Sequence, residues 1–375
     1  MRKKHLFVFF VLLIMLLSSG LWALAEAPVD PLKPMGHMEL SFATQFSVDD
    51  LAGGCSLLSI EGSGRFLIVP EGQTPPTQLD EDITLLQQPI QNMYLAATSA
   101  MCLFDALDAL DSITLSGTKA EGWYIANARA AMEKGDIVYA GKYSAPDYEL
   151  ILSQNCDLAI ESTMITHTPE VKDKLEDFGI PVLMERSSYE PHPFGRTEWI
   201  KVYGLLLGKE KLAEELFGIQ AAYLAELPDQ STETTVAFFY ISSAGNAVAR
   251  RSGDYVVKMI ELAGGRYAFS DLGDAGNITG SLNLEMEQFY AQAKDADVLI
   301  YNASIDGEIN TMAELLAKSH LLADFKAVQS GNVWCTGKNL FQETTEFGLM
   351  IRDMHRIFAG NTGTQDDLYF FNRLQ

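Results

Sequence analysis

The feature that most constrains this chain is a run of nineteen residues, 209–227, with no proline and a single glycine, Gly218. It carries Leu212, Leu216, Ile219, Tyr223 and Leu227 at helical spacing. At 1.5 Å per residue such a helix is roughly 28 Å long, enough to cross a small domain. Gly208 breaks it from a preceding helical stretch, 197–207, and Pro228 ends it before a polar linker, 229–234. On both sides of this helix, short apolar runs alternate with helical patterns. Upstream, strands are expected at 92–97, 112–115, 157–160 and 180–184, with helices at 100–110, 125–132, 148–152 and 169–178. Downstream, strands are expected at 236–241, 298–301 and 333–336, with helices at 255–262, 284–293, 312–317 and 345–358. Strand–helix alternation argues for parallel sheets covered on both faces. The expected fold is therefore α/β, with two doubly wound parallel-sheet lobes, 51–208 and 229–358, joined by a single long helix at 209–228. A length of 375 residues supports two cores. A Pro-rich lead-in, 26–50, precedes the first lobe, and 359–375 reads as a tail. Runs 55–60 and 65–69 flank Glu61-Gly62-Ser63-Gly64 and predict a β-hairpin. Residues 71–82 read as a loop.

The first 25 residues combine Arg2, Lys3 and Lys4, an apolar run over 6–17, and Ala23-Leu24-Ala25. This pattern predicts an export signal cleaved after Ala25, with an uncleaved anchor as the alternative. No cysteine lies near the site, so the pattern is not that of a lipoprotein. Removing this segment takes away three cations and no acid, so the net charge moves from −23 to −26. A chain this acidic repels nucleic acid and anionic membrane surfaces. Its four cysteines, Cys55, Cys102, Cys156 and Cys335, match no zinc spacing, and their pairing is open.

Catalytic and nucleotide-binding signatures are absent: no G-x-S-x-G, H-E-x-x-H or phosphate-loop pattern occurs. Neither an enzyme nor a resident cofactor is expected. Attention falls on the carboxyl ends of the strands, where open α/β sheets bind ligands. Those ends carry Thr98-Ser99, Ser162-Thr163-Met164, Ser242-Ser243 and Asn302. Short polar side chains there suit a polar or anionic ligand, and they equally suit helix caps. Trp123, Tyr124, Tyr143, Tyr189 and Tyr240 add an aromatic component that suits a flat ligand, or belong to the core. Arg196, Arg250 and Arg251 are candidate anchors for anionic groups, or surface ion-pair partners. His167, with Met164 close in sequence, is a candidate for a metal centre such as haem iron, or a loop cap.

In order and spacing these residues resemble the solute-binding proteins of ABC importers for iron-siderophore complexes, haem and cobalamin, the periplasmic binding proteins of class III. The resemblance spans about 52–358. Leu57-Leu58-Ser59-Ile60-Glu61-Gly62-Ser63-Gly64-Arg65-Phe66-Leu67-Ile68-Val69-Pro70 is similar to that family's opening hairpin. Tyr148-Glu149-Leu150-Ile151 with Cys156-Asp157-Leu158-Ala159-Ile160, and Gly179-Ile180-Pro181-Val182, resemble first-lobe elements. Glu287-Gln288-Phe289 with Ala296-Asp297-Val298-Leu299-Ile300 resembles the matching second-lobe element. The resemblance implies a monomeric receptor on the outer face of the cytoplasmic membrane or in the periplasm. It would capture an iron complex, a ferric siderophore or haem, between its lobes with little closure and deliver it to an ABC permease. It further implies that Glu149 and Glu287, with Glu285 competing for the second role, dock onto that permease. The missing lipobox cysteine departs from members of single-membrane bacteria. A corrinoid or oxyanion ligand, or a secreted enzyme on a nitrogenase-like two-lobed fold, are the alternatives.

Overall fold

The computed structural model describes residues 32–227, 232–273, 279–362 and 368–375. The expected export segment and the first half of the linker, residues 229–231, lie outside the described residues. Among those described, no helix is long and apolar enough to cross a membrane, and all four cysteines are buried free thiols.

The expected hairpin forms as β3 (Ser56–Ile60) and β4 (Gly64–Val69), antiparallel, with Gly62 at φ +64° in its turn. It does not stand alone. The lead-in supplies β1 (Pro34–His37) and β2 (Phe46–Leu51), and β5 (Ile83–Gln87) completes a five-stranded sheet in the order β1-β2-β3-β4-β5. The Pro-rich lead-in, for which the sequence pattern named no strand, thus carries two. Pro34 is tolerated because β1 is an edge strand, where a missing N–H breaks no ladder. The sheet is apolar on both faces. Phe46, Val48, Leu58, Ile60, Phe66 and Ile68 join the main core, while Leu57, Leu67 and Val69 build a separate small one.

Two buried carboxylates dock this sheet. Backbone N–H groups of Ser41, Phe42 and Ala43 donate to Glu198 at 2.8–3.1 Å. Those of Thr44 and Gln45 donate to Glu190 at 2.8–3.0 Å. Lys201 pairs with Glu198 at 3.2 Å, and Trp199 Nε1 donates to Glu190. Buried charge is tolerated here because each oxygen is hydrogen-bonded.

The first lobe's sheet contains β6 (Met93–Leu95), β7 (Ile113–Ser116) and β8 (Val138–Tyr139). A small hairpin of β9 (Gly141–Lys142) and β10 (Ala145–Pro146) follows, then β11 (Ala159–Ser162) and β12 (Val182–Glu185). The sheet is parallel, in the order β12-β11-β6-β7-β8. The order reverses at β6, which puts the topological switch point between β6 and β11.

The expected helix 197–207 is two short ones, Pro193–Glu198 and Ile200–Leu207, the second almost wholly buried. Gly208, at φ +65°, turns the chain into the connecting helix Glu210–Glu226. The second lobe's sheet takes β13 (Thr235–Ile241), β14 (Ala247–Arg250), β15 (Arg266–Tyr267) and β16 (Ser281–Leu284). It is completed by β17 (Val298–Tyr301), β18 (Val333–Thr336) and β19 (Phe371–Arg373). Its order is β16-β14-β13-β17-β18-β19, with β15 also on β13. The strands β15, β13, β17 and β18 run parallel, whereas β14, β16 and β19 are antiparallel. The expected tail therefore closes the sheet, burying Leu368, Phe370, Phe371 and Leu374. One continuous apolar core runs through both lobes and the inner face of the connecting helix.

Candidate functional site

In open α/β sheets ligands bind at the carboxyl ends of the parallel strands, and several of the expected residues stand at those ends. At the switch point, Ser99 Oγ donates to Glu185 Oε2 at 2.6 Å, and Ser187 N–H donates to the same carboxylate. Glu185 is buried, and burial pushes its carboxyl up, offset in part by the Ser187 and Ser99 hydrogen bonds. Thr98 beside it is exposed.

Arg196 comes from the helix Pro193–Glu198 of the first lobe. Its guanidinium donates to the carbonyls of Glu190 (3.2 Å) and Ser188 (2.5 Å) and lies 3.6 Å from the ring centre of Tyr255. Tyr255 opens the second-lobe helix Tyr255–Leu262, capped by Asp254. Arg250, at the end of β14, reaches the same place. It sits 3.7 Å from Asp254 and over the Phe341 ring at 4.8 Å. Burial first, and the Arg250 charge last, lower the Arg196 pKa, against the pull of Tyr255, Asp254 and Glu185. Arg196 remains a cation, because guanidinium pKa values start above about 12. Two guanidiniums from opposite lobes thus converge. Their neighbours are neutral carbonyls, aromatic faces and two carboxylates, Asp254 and Glu185.

Along the carboxyl ends of the strands runs a rim of part-exposed apolar side chains. Tyr124 (42 % exposed) follows β7, Tyr139 (37 %) ends β8, Met164 (45 %) follows β11 and Tyr189 (55 %) follows β12. Ile305 (59 %) follows β17 on the facing lobe. Large apolar groups gathered along one edge mark a binding surface more often than they are accidental. The lobes also touch directly. The Gln342 carboxamide donates to the Gly122 carbonyl and accepts from the Tyr124 N–H, each at 2.8 Å. Thr197 Oγ1 donates to the Thr344 carbonyl at 2.7 Å.

Several residues expected at the cleft are occupied elsewhere. Trp123 is wholly buried, with Nε1 donating to Ser116 Oγ, so it is a core side chain. Asn302 is 2 % exposed, and its side chain caps the next helix by accepting from Ser304 N–H. Tyr240 lies within β13, half-buried against the core. Tyr143 is half-buried in the β9–β10 turn. Arg251 is half-buried, its N–H bonded to the Gly280 carbonyl. His167 is exposed at the end of the 3-10 turn Thr163–His167, which also holds Met164. Among the described residues no three His, Cys, Asp or Glu side chains gather to hold a metal. Tyr255, Phe341, Tyr139, Ile305, Glu185 and Arg186 were not singled out from sequence. Their places depend on pairings between segments far apart in the chain. Glu149 and Glu287 are exposed, each in the first turn of a helix that precedes a buried strand, β11 and β17 respectively.

Residues 97–340 match the family model for periplasmic binding proteins. The chain belongs to the periplasmic binding protein family. An uncharacterized lipoprotein of Methanocaldococcus jannaschii is 24 % identical to this binding protein over 296 residues, 76 % of this chain and 69 % of the relative. Two solved structures from Vibrio cholerae share the fold. The periplasmic haem-binding protein HutB has a TM-score of 0.57 at 17 % identity, covering 72 % of this chain and 97 % of its own. The periplasmic catecholate-siderophore binding protein VctP has a TM-score of 0.57 at 15 % identity, covering 72 % and 94 %. The sheet β1–β5 lies ahead of the residues that the family model matches.

Proposed function

We propose that this binding protein is the extracytoplasmic receptor of an ABC importer and carries an anionic iron complex, a ferric siderophore or haem, in its interlobe cleft. The observation that carries this reading is the approach of two guanidiniums, one from each lobe: Arg196 over the Tyr255 ring, and Arg250 beside Asp254, the residue before that tyrosine, and over Phe341. A ligand held by both cations is held by both lobes, which is what a capture device needs. The rim of Tyr124, Tyr139, Met164 and Tyr189 supplies apolar faces for a flat or aromatic ligand. A small oxyanion such as molybdate would leave that rim unused. Carriage of ligands of this kind by the haem-binding and catecholate-siderophore-binding relatives is consistent with the reading. Delivery would run through Glu149 and Glu287, exposed carboxylates, one on each lobe, for cations on the permease.

The test is a titration of the mature protein with haemin and with ferric tris-catecholate, followed by tryptophan fluorescence, alongside uptake by cells carrying Glu149→Ala/Glu287→Ala. The expected result is saturable binding of at least one complex, with uptake lost in the double variant at unchanged affinity. Absence of binding to both complexes overturns the ligand assignment. Uptake at the wild-type rate overturns the docking role.

A further inference from the structure

Arg186 directly follows β12, at the same carboxyl edge as Ser99 and Met164, and it is not part of the Arg196–Arg250 pair. Its guanidinium donates twice, from Nε (3.2 Å) and Nη2 (3.0 Å), to a single neutral acceptor, the side-chain oxygen of Gln45. It lies 4.5 Å from the ring centre of Tyr189, the most exposed tyrosine of the rim. Among the described residues no carboxylate stands within 4 Å of it, in a chain with 50 acids and 27 basic residues. An arginine that only needed a surface counter-charge would find one easily here.

The residues that hold it come from the accessory sheet. Gln45 precedes β2, and its own N–H is fixed by the buried Glu190 carboxylate at 2.9 Å. The β3–β4 turn is tied to β12 through Ser63 Oγ, which accepts from Met184 N–H at 2.8 Å. In that turn Gly62 adopts φ +64°, and a Cβ on it would stand 3.1 Å from Arg186 Nη1. A larger residue would be strained and would crowd the guanidinium. So the N-terminal sheet brings an acceptor and a close-fitting turn to one side of Arg186. The opposite partner is an exposed aromatic face.

We propose that Arg186 and Tyr189 form a further ligand subsite, assembled by the N-terminal sheet, that takes an anionic aromatic arm of the ligand. Arg186 supplies a third cation beyond Arg196 and Arg250, and Tyr189 supplies the stacking surface. The accessory sheet is thereby a third wall of the cleft, and it biases the protein toward ligands with several anionic aromatic groups. This inference rests on the cleft being the ligand site, as proposed above.

The experiment compares Arg186→Met, which keeps the apolar stem without charge, Arg186→Lys, which keeps charge without the planar fork, and Arg196→Ala as a reference. Each is titrated with ferric tris-catecholate, a trianion at neutral pH, by tryptophan fluorescence at two ionic strengths, with melting temperature as the folding check. Loss of one charged hydrogen-bonding group should weaken binding about tenfold. Arg186→Met is expected to show that loss at an unchanged melting temperature, with a shallower salt dependence than wild type, and Arg186→Lys an intermediate loss. If Arg186→Met binds like wild type while Arg196→Ala is impaired, Arg186 is only a strut for the sheet, and this inference is wrong while the cleft reading stands. If Arg186→Met fails to fold, an Arg186→Lys variant of wild-type affinity and salt dependence is the overturning result. If wild type binds haemin but not this probe, the subsite inference is wrong while the cleft reading stands; if wild type binds neither, or Arg196→Ala binds unchanged, the cleft reading falls and the subsite falls with it.

Discussion

The strand ends of the two lobes are built on opposite terms. In the second lobe nearly every polar group at these ends is spent on the lobe itself. Tyr301 Oη donates to Asp306 at 2.6 Å, and Lys318 bonds the same carboxylate. Asn302 caps its helix, and Thr336 Oγ1 accepts from Ala303 N–H at 2.9 Å. Ser304 Oγ, buried without a partner, is the exception. In the first lobe the same edge leaves interactions over. Glu161, the third residue of β11, is wholly buried with neither oxygen hydrogen-bonded, and Tyr124, Tyr139, Met164 and Tyr189 remain part-exposed. A braced lobe can serve as an anvil. A lobe with unspent polar and apolar groups gains more when a ligand arrives.

The largest effect that would sharpen this contrast belongs to Glu161. Burial pushes its carboxyl from an ordinary 4.5 to about 8. Below pH 4.5 the carboxyl is protonated in both folded and unfolded chains and costs nothing through linkage. Between pH 4.5 and 8 the unfolded chain ionises while the folded one holds its proton, so stability falls by about 1.4 kcal/mol per pH unit and levels off above 8. Glu161→Gln removes that slope. It should be more stable than wild type by a few kcal/mol at pH 8 and much closer to it at pH 4.5, read from urea unfolding at both values. Equal pH slopes for the two proteins would show that Glu161 has a partner after all.

A smaller effect is expected on the braced side. Asn302→Ala removes a helix cap and should cost about 1 kcal/mol of unfolding free energy, with ligand affinity unchanged. A change in affinity without one in stability would return Asn302 to the ligand. Smallest in stability are the rim side chains. Tyr124→Ala and Met164→Ala should each shift unfolding by less than about 0.5 kcal/mol, because little packing is lost. Each should nevertheless measurably weaken binding of an aromatic iron complex. Wild-type affinity in both would make the rim incidental.

Much of the body was legible in the sequence, because its helices are punctuated by glycines that adopt left-handed backbone angles. Gly135, Gly179, Gly208 and Gly264 all do so at helix ends. The long helix was legible from its uninterrupted spacing. What escaped were strands made by pairing between distant segments. β1, β14, β16 and β19 are three or four residues long, and their β character comes from the neighbour they join. The site divides the same way. Arg196 and Arg250 stand out as cations in an acidic chain. Whether an aromatic or an amide faces the cleft is decided by burial, which separates Trp123 from Tyr124 one residue apart. No local pattern marks Tyr255 as the second-lobe ring that Arg196 faces.

The central claim, that both lobes grip one anionic ligand through paired arginines, is tested most directly by titrating Arg196→Ala, Arg250→Ala and the double variant with ferric tris-catecholate and haemin. A hydrogen bond to a charged group contributes about 1.5–3 kcal/mol, so each single change should weaken binding by roughly tenfold or more, and the double by roughly a hundredfold or more, in folded protein. Affinity in the double variant equal to that of wild type would contradict the claim.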